Sequence, residues 1–140
     1  MLLYYFHTRD QLLAEVLGTV GSRLRTALEQ ALPPEPMAPP ALLARVWSLV
    51  QSEDVEPYVR LYVEVCGLAA RRHEPYRTVA MEVADEWRTW MAPRLAVPAA
   101  ERASATAGLL TLLDGLLVVR FATGADAARA AEGWLLTHLD

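Results

Sequence analysis

Apolar residues recur along the chain at spacings of three and four, which is the repeat of an amphipathic α-helix. The clearest case follows Thr8, a good N-cap with Gln11 placed to complete a capping box. One face of this helix carries Leu13, Leu17, Val20, Leu24 and Leu28. The run "PPEPMAPP" cannot continue a helix. The first helix is therefore predicted to span about residues 8–32.

Five further helices are predicted between breaks at proline, glycine and capping residues. They cover about residues 40–52, 54–72 with a cap at Asp54, 74–95, 99–122, and 126–138 with a cap at Asp126. No alternating pattern of a β-strand is visible. The predicted fold is all-α, a six-helix bundle.

The fifth predicted helix carries "LLTLLDGLLVVRF" and is apolar on nearly every side. It must bury two faces, whereas a bundle of this size offers about one. An uncovered face would expose several Leu and Val side chains at roughly 1.5–3 kcal/mol each. A second copy of the chain would cover it through a two-fold interface built from the last two helices. The predicted homodimer interface comprises Leu110, Leu117, Phe121, Ala127, Ala131, Trp134, Leu135 and His138.

Composition narrows the class of protein. The net charge is −4. A domain that binds nucleic acid by itself is usually basic, so this chain is not expected to do so. No run reaches the roughly 18 unbroken apolar residues of a membrane span, because Asp114 interrupts the longest one. No secretory signal is recognisable, and the single Cys66 allows no internal disulfide. A cytoplasmic protein without a membrane partner is expected.

The chain shows little that could catalyse a reaction. His7, His73 and His138 lie far apart, and no metal, phosphate-binding or nucleophile motif is present. We therefore expect no catalytic residues, no metal, no cofactor and no enzymatic activity.

Aromatic side chains are concentrated on the inward faces of three consecutive predicted helices. They could simply fill the core, or they could line a mostly apolar ligand pocket with a few polar groups. The predicted pocket residues are Trp47, Tyr62, Cys66, Trp87, Trp90, Met91, Leu113 and Arg120. A charge such as that of Arg120 is costly in an apolar run unless it is paired. Arg120 could pair with Asp114 or Glu64, reach solvent at the helix end, or meet an anionic ligand.

The stretch "LLYYFHTRDQLLAEVL", residues 2–17, carries a family resemblance. It resembles the junction between the recognition helix and the fourth helix in the tetracycline-repressor (TetR) family of transcriptional regulators. The matching residues are Leu2, Tyr4, Phe6, Thr8, Arg9, Asp10, Leu12 and Leu13. The order of the later helices resembles that family's effector-binding domain. The resemblance implies a repressor whose residues 8–140 bind a small effector and dimerise, with residues 1–7 as the remnant of a recognition helix.

Most of the DNA-reading part that the resemblance implies is not in this sequence. Bases are read by the recognition helix, and only Tyr4, Tyr5, Thr8 and Arg9 match positions that resemble the family's phosphate-contacting edge. Operator DNA would then be bound only through the missing N-terminal helices, and this chain alone should bind it weakly or not at all. Either the gene begins further upstream and encodes those helices, or the natural protein lacks the DNA-reading helices.

The effector is expected to be apolar or aromatic, with an anionic end if Arg120 faces inward. The main alternative is a ligand-free helical protein that only dimerises. A structure without a cavity between Tyr62, Trp87 and Leu113 would favour that alternative.

Overall fold

The computed structural model describes residues 9–139 and arranges them as six α-helices. They are α1 (Arg9–Ala31), α2 (Pro39–Val50), α3 (Glu56–Ala70), α4 (Tyr76–Met91), α5 (Arg102–Thr123) and α6 (Ala125–His138), with a 3₁₀ turn at Ala92–Arg94 after α4. Residues 9–139 contain no β-strand, only an isolated bridge between Met37 and Leu95. The predicted all-α fold with six helices is confirmed.

Both capping predictions within the described chain are wrong. Val55, not Asp54, occupies the position before α3, and no side chain caps that helix. Gly124 precedes α6, and Asp126 lies inside its first turn, where it pairs with Arg129 at 2.6 Å. In both cases the helix starts without a side-chain cap, so a polar residue near a helix start was mistaken for its cap.

The proline-rich loop is held against the end of α4. The backbone N–H of Met37 donates to the Arg94 carbonyl at 2.8 Å, and the N–H of Ala96 donates to the Met37 carbonyl at 2.8 Å. Arg94 also pairs with Glu29 of α1 at 3.1 Å. These contacts close one end of the bundle and fix where α1, α2 and α4 meet.

The centre of the core lies between α2 and the helices α1, α4 and α5. Its most deeply buried side chains are Trp47, Leu28, Leu42, Leu43, Met91, Leu95, Val46 and Thr106. Val65 of α3 is equally buried in a second, smaller cluster with Leu17 and Val79. α5 packs against α2, α3, α4 and α6, so it is the helix that joins most of the others. The prediction of an apolar helix that needs burial on several sides is consistent with this position.

One side of α5 nevertheless remains open. Among residues 9–139, α5 alone has the length and apolar composition of a membrane span, a test that core helices of soluble proteins also pass. Only 28% of its most apolar window is buried. Its exposed side carries Ala107, Thr111, Gly115, Val118 and Ala122, and Val118 keeps 51% of its surface exposed.

Two core tryptophans differ in how their indole N–H groups are satisfied. The Trp90 N–H donates to Glu29 Oε1 at 3.1 Å. Trp47 is fully buried, and its N–H has no hydrogen-bond partner among residues 9–139. An unpaired buried donor costs about 1–3 kcal/mol, whereas a satisfied one contributes to stability.

The substitutions Trp47→Phe and Trp90→Phe remove the same atoms from these two environments. We expect Trp90→Phe to lower the free energy of unfolding by about 1–2 kcal/mol more than Trp47→Phe, since only Trp90 loses a hydrogen bond. Urea denaturation of both variants measures the difference. A larger loss for Trp47→Phe would show that its N–H is satisfied in solution.

Candidate ligand-binding site

A half-open cavity of about 100 Å³ lies among the first five helices. Its walls are formed by Leu17, Val20, Gly21 and Leu24 of α1, Val46 and Val50 of α2, Tyr58, Val59 and Tyr62 of α3, Val83, Ala84 and Trp87 of α4, and Leu110, Leu113, Asp114 and Leu117 of α5. Apolar cavities of this order hold a single aromatic ring. The arrangement can enclose a small apolar ligand.

Helical spacing explains how each element contributes to the walls. Residues three, four and seven apart share a helix face, as Leu17, Gly21 and Leu24 do on α1. Gly21 and Ala84 lack large side chains, so α1 and α4 leave space where they pass the cavity. The cavity therefore arises where small residues interrupt otherwise large apolar faces.

Trp87 forms the largest aromatic surface of the cavity. Its ring meets that of Trp90 edge-on, with centroids 5.5 Å apart and an interplanar angle of 75°. Trp90 is itself held by Glu29 and by the Arg94 guanidinium, 4.1 Å from its ring centroid. Trp90 thus positions Trp87 from behind.

Among residues 9–139, Asp114 is the only acidic or basic residue that lines the cavity. The residue keeps an exposed side, yet desolvation of its carboxyl raises its pKa to about 6, against the opposing effect of a hydrogen bond with Tyr62. Burial, followed by the charge of Asp114, raises the pKa of the Tyr62 hydroxyl. Burial likewise raises the pKa of the neighbouring Cys66 thiol. Asp114 has no ion-pair partner among residues 9–139.

Three of the eight predicted pocket residues line the cavity: Tyr62, Trp87 and Leu113. Trp47 and Met91 are fully buried in the adjoining core, Trp90 lies behind Trp87, and Cys66 lies beside Tyr62 outside the wall. The 3.6-residue period identifies the inward face of a helix, but it does not distinguish residues that touch a cavity from those that fill the core.

Arg120 does not line the cavity. Its guanidinium donates to Glu56 Oε2 at 2.8 Å and to Gln51 Oε1 at 3.3 Å. The two partners suggested by the sequence, Asp114 and Glu64, are therefore not the ones used. Arg120 and then Arg60 hold the pKa of Glu56 below its usual range. Residues 9–139 provide no cation in the wall to meet an anionic ligand.

The structure divides the predicted dimer interface into two groups. Ala127, Trp134 and His138 are exposed on α6, and the rings of Trp134 and His138 stack 4.4 Å apart. The other five face the body of the same chain: Leu110 and Leu117 line the cavity, and Phe121, Ala131 and Leu135 pack on the core. The apolar run "LLTLLDGLLVV" of α5 has large side chains on nearly every side, so the sequence gives no sign of which face is outward.

Of the predicted DNA-contacting residues, Tyr4, Tyr5 and Thr8 lie outside the described chain. Arg9 is the exposed first residue of α1. Beside it, Asp10 Oδ1 accepts a hydrogen bond from the Tyr76 hydroxyl at 2.8 Å, which ties the start of α1 to α4.

Sequence reasoning missed the contribution of α1, because every predicted pocket residue lies beyond that helix in the chain. The regular apolar face of Leu17, Val20 and Leu24 was the available signal. Asp114 interrupts an apolar run in the sequence. A lone acid in such a run is the signal from which a polar group in the cavity wall could have been predicted.

Residues 9–139 hold no cluster of three or more His, Cys, Asp or Glu side chains that could bind a metal ion. Compared with known proteins, the chain matches no family model, no curated protein and no solved structure.

The raised pKa of Asp114 predicts that its ionised carboxylate lowers the free energy of unfolding, and that this cost depends on pH. The cost shrinks as the pH falls and is absent well below pH 4, where the carboxyl is protonated in both folded and unfolded chains. It is fully present above the folded-state pKa of about 6. Asp114→Asn should therefore raise the free energy of unfolding at pH 7.5 by about 1 kcal/mol, a figure that allows for solvent screening.

The difference between the variant and the unaltered chain should shrink toward zero by about pH 4. Urea denaturation at both pH values measures it. A variant that is less stable than the unaltered chain at pH 7.5 would show that the carboxylate is favourably paired.

Proposed function

We propose that this chain is the effector-binding and dimerisation domain of a TetR-like transcriptional regulator, a repressor whose ligand is small and apolar or aromatic. The observation that carries the proposal is the cavity, whose wall includes Tyr62, Trp87 and Leu113. A filled core at that place would have favoured a protein that only dimerises. The family assignment is supported by the resemblance of residues 2–17.

The position of α1 supports a regulatory role for the cavity. α1 supplies four wall residues near its middle and begins at Arg9, directly after the aromatic residues of the family-like stretch. α1 can take different positions relative to the rest of the cavity wall, and a ligand that binds one of them more tightly shifts α1 toward that position. The coupling free energy equals the difference in affinity between the two arrangements. DNA-reading helices attached ahead of α1 would follow that shift.

The uncovered faces of α5 and α6 support a homodimer. Val118 on α5 and Trp134 on α6 expose 51% and 63% of their surfaces. Gly115 and Gly133 lie inside these helices with open space around the place of a Cβ. Glycine costs about 1 kcal/mol relative to alanine in a helix interior, and nothing within residues 9–139 requires it at these positions. Close approach of a second copy would explain both glycines.

The two-fold arrangement suits this surface, because a single patch on each copy then covers the other. The exposed side of α5 is uncharged from Ala107 to Ala122 except at Asp114, which lies on its border with the cavity. Uncharged, small and apolar side chains are what a buried helix pair needs.

The coupling between the cavity and α1 can be tested with 2-phenylethanol, a neutral one-ring compound. We expect it to slow hydrogen exchange of the α1 amides around residues 17–24 by about threefold or more, because occupancy orders that wall. Mass spectrometry with calorimetry on the same samples measures exchange and binding together.

The control for this experiment is Ala84→Phe, which places a ring inside the cavity and should abolish binding and protection together. Ala41→Phe adds the same ring on the exposed side of α2 and should change neither. Binding without any change in α1 would contradict the proposed coupling. Absence of binding would contradict the ligand role of the cavity.

A further inference from the structure

The opening of the cavity is marked by two residues. Of all the wall residues only Tyr58 and Asp114 are exposed, so they lie where the cavity meets solvent. A ligand whose apolar body fills the interior would leave its polar end beside these two side chains. The chemistry of that polar end is therefore set mainly by Asp114.

The charge at the opening of the cavity is negative, because Asp114 is the acidic residue of the wall there. Asp114 has no ion-pair partner among residues 9–139, and Arg120, which the sequence suggested as its partner, is engaged elsewhere. Arg120 pairs with Glu56 at 2.8 Å, and Arg25 pairs with Glu86 at 2.8 Å. The Trp87 ring already has the Arg25 guanidinium over it, 5.9 Å from its centroid. Tyr62 is the other aromatic ring beside Asp114, and an aromatic face carries negative partial charge that attracts cations.

We propose that the cavity selects compounds that join a one-ring-sized apolar body to a protonated amine, with the ammonium group paired to the Asp114 carboxylate. This inference rests on the proposed ligand role of the cavity and names the class of ligand. A charge-assisted pair in a partly desolvated site is stronger than one in open water. An anionic ligand would be repelled by the same carboxylate.

The proposal also accounts for why an acid stands in an otherwise apolar wall. A carboxylate that loses solvent without gaining a cationic partner destabilises the folded chain, and the hydrogen bond with Tyr62 offsets only part of that cost. Asn or Ser at residue 114 would avoid that cost, whereas a cationic ligand would offset it on binding. Desolvated charges that lack a structural partner cluster at functional sites. The raised pKa of Asp114 agrees with such a site.

Three probes of similar shape separate the possibilities: 2-phenylethylamine, 2-phenylethanol and 3-phenylpropionate. Calorimetry at pH 7.5 should show the amine binding about tenfold tighter than the alcohol, and the carboxylate binding more weakly than both. In Asp114→Asn the amine should lose this advantage and bind within about twofold of the alcohol.

The matched control is Asp85→Asn, which removes a carboxylate from the exposed side of α4, where Asp85 pairs with Arg88. It should keep the preference for the amine, because its charge is outside the cavity. Melting curves of both variants verify that the fold is intact.

Equal affinity of the unaltered chain for amine and alcohol would overturn this inference and leave the cavity as a ligand site. A preference for 3-phenylpropionate would also overturn it. Failure of all three probes to bind would instead overturn the ligand role itself. If Asp114→Asn kept the preference for the amine, the ammonium group would not be paired with Asp114, and the inference would be overturned.

Discussion

Helix α5 carries apolar side chains around most of its circumference, and the rest of the fold is arranged to bury them. One side packs into the core through Leu109, Leu113 and Leu116, where α2, α3, α4 and α6 surround it. The opposite side, with Val118 and Gly115, has no cover within the described chain. Val118 keeps 51% of its surface exposed and so forgoes part of the roughly 1.5–3 kcal/mol that full burial of such a side chain contributes. This deficit is the physical reason why we propose a second copy.

Helix α5 also carries the residue of the cavity wall whose desolvated carboxylate destabilises the folded chain. Asp114 stands at the border between the cavity wall and the uncovered face, next to Gly115. Ligand binding and dimerisation would therefore act on neighbouring parts of one helix. On the far side of the cavity, α1 presents Leu17 and Leu24. A ligand in this position would touch both the helix that we propose to join two copies and the helix that follows the family-like stretch.

The fold class followed from helical periodicity and proline breaks, which are local and strong signals. The exact helix starts did not, since Asp54 and Asp126 are polar residues near a start that cap nothing. Tyr62, Trp87 and Leu113 were predicted for the pocket because inward faces can be read from spacing. Whether an inward residue meets space or another side chain depends on packing between helices far apart in sequence. Arg120 shows the same limit, because its partner Glu56 lies sixty-four residues away.

The account is tested most directly by the oligomeric state in solution. Sedimentation at micromolar concentration should show a dimer for the unaltered chain and for Met81→Arg, which charges an equally exposed apolar residue on α4 (57% exposed). Val118→Arg should give a monomer, because it buries an unpaired charge in the proposed interface. A monomeric unaltered chain, or a Val118→Arg variant that remains dimeric, would contradict the claim that a second copy covers α5.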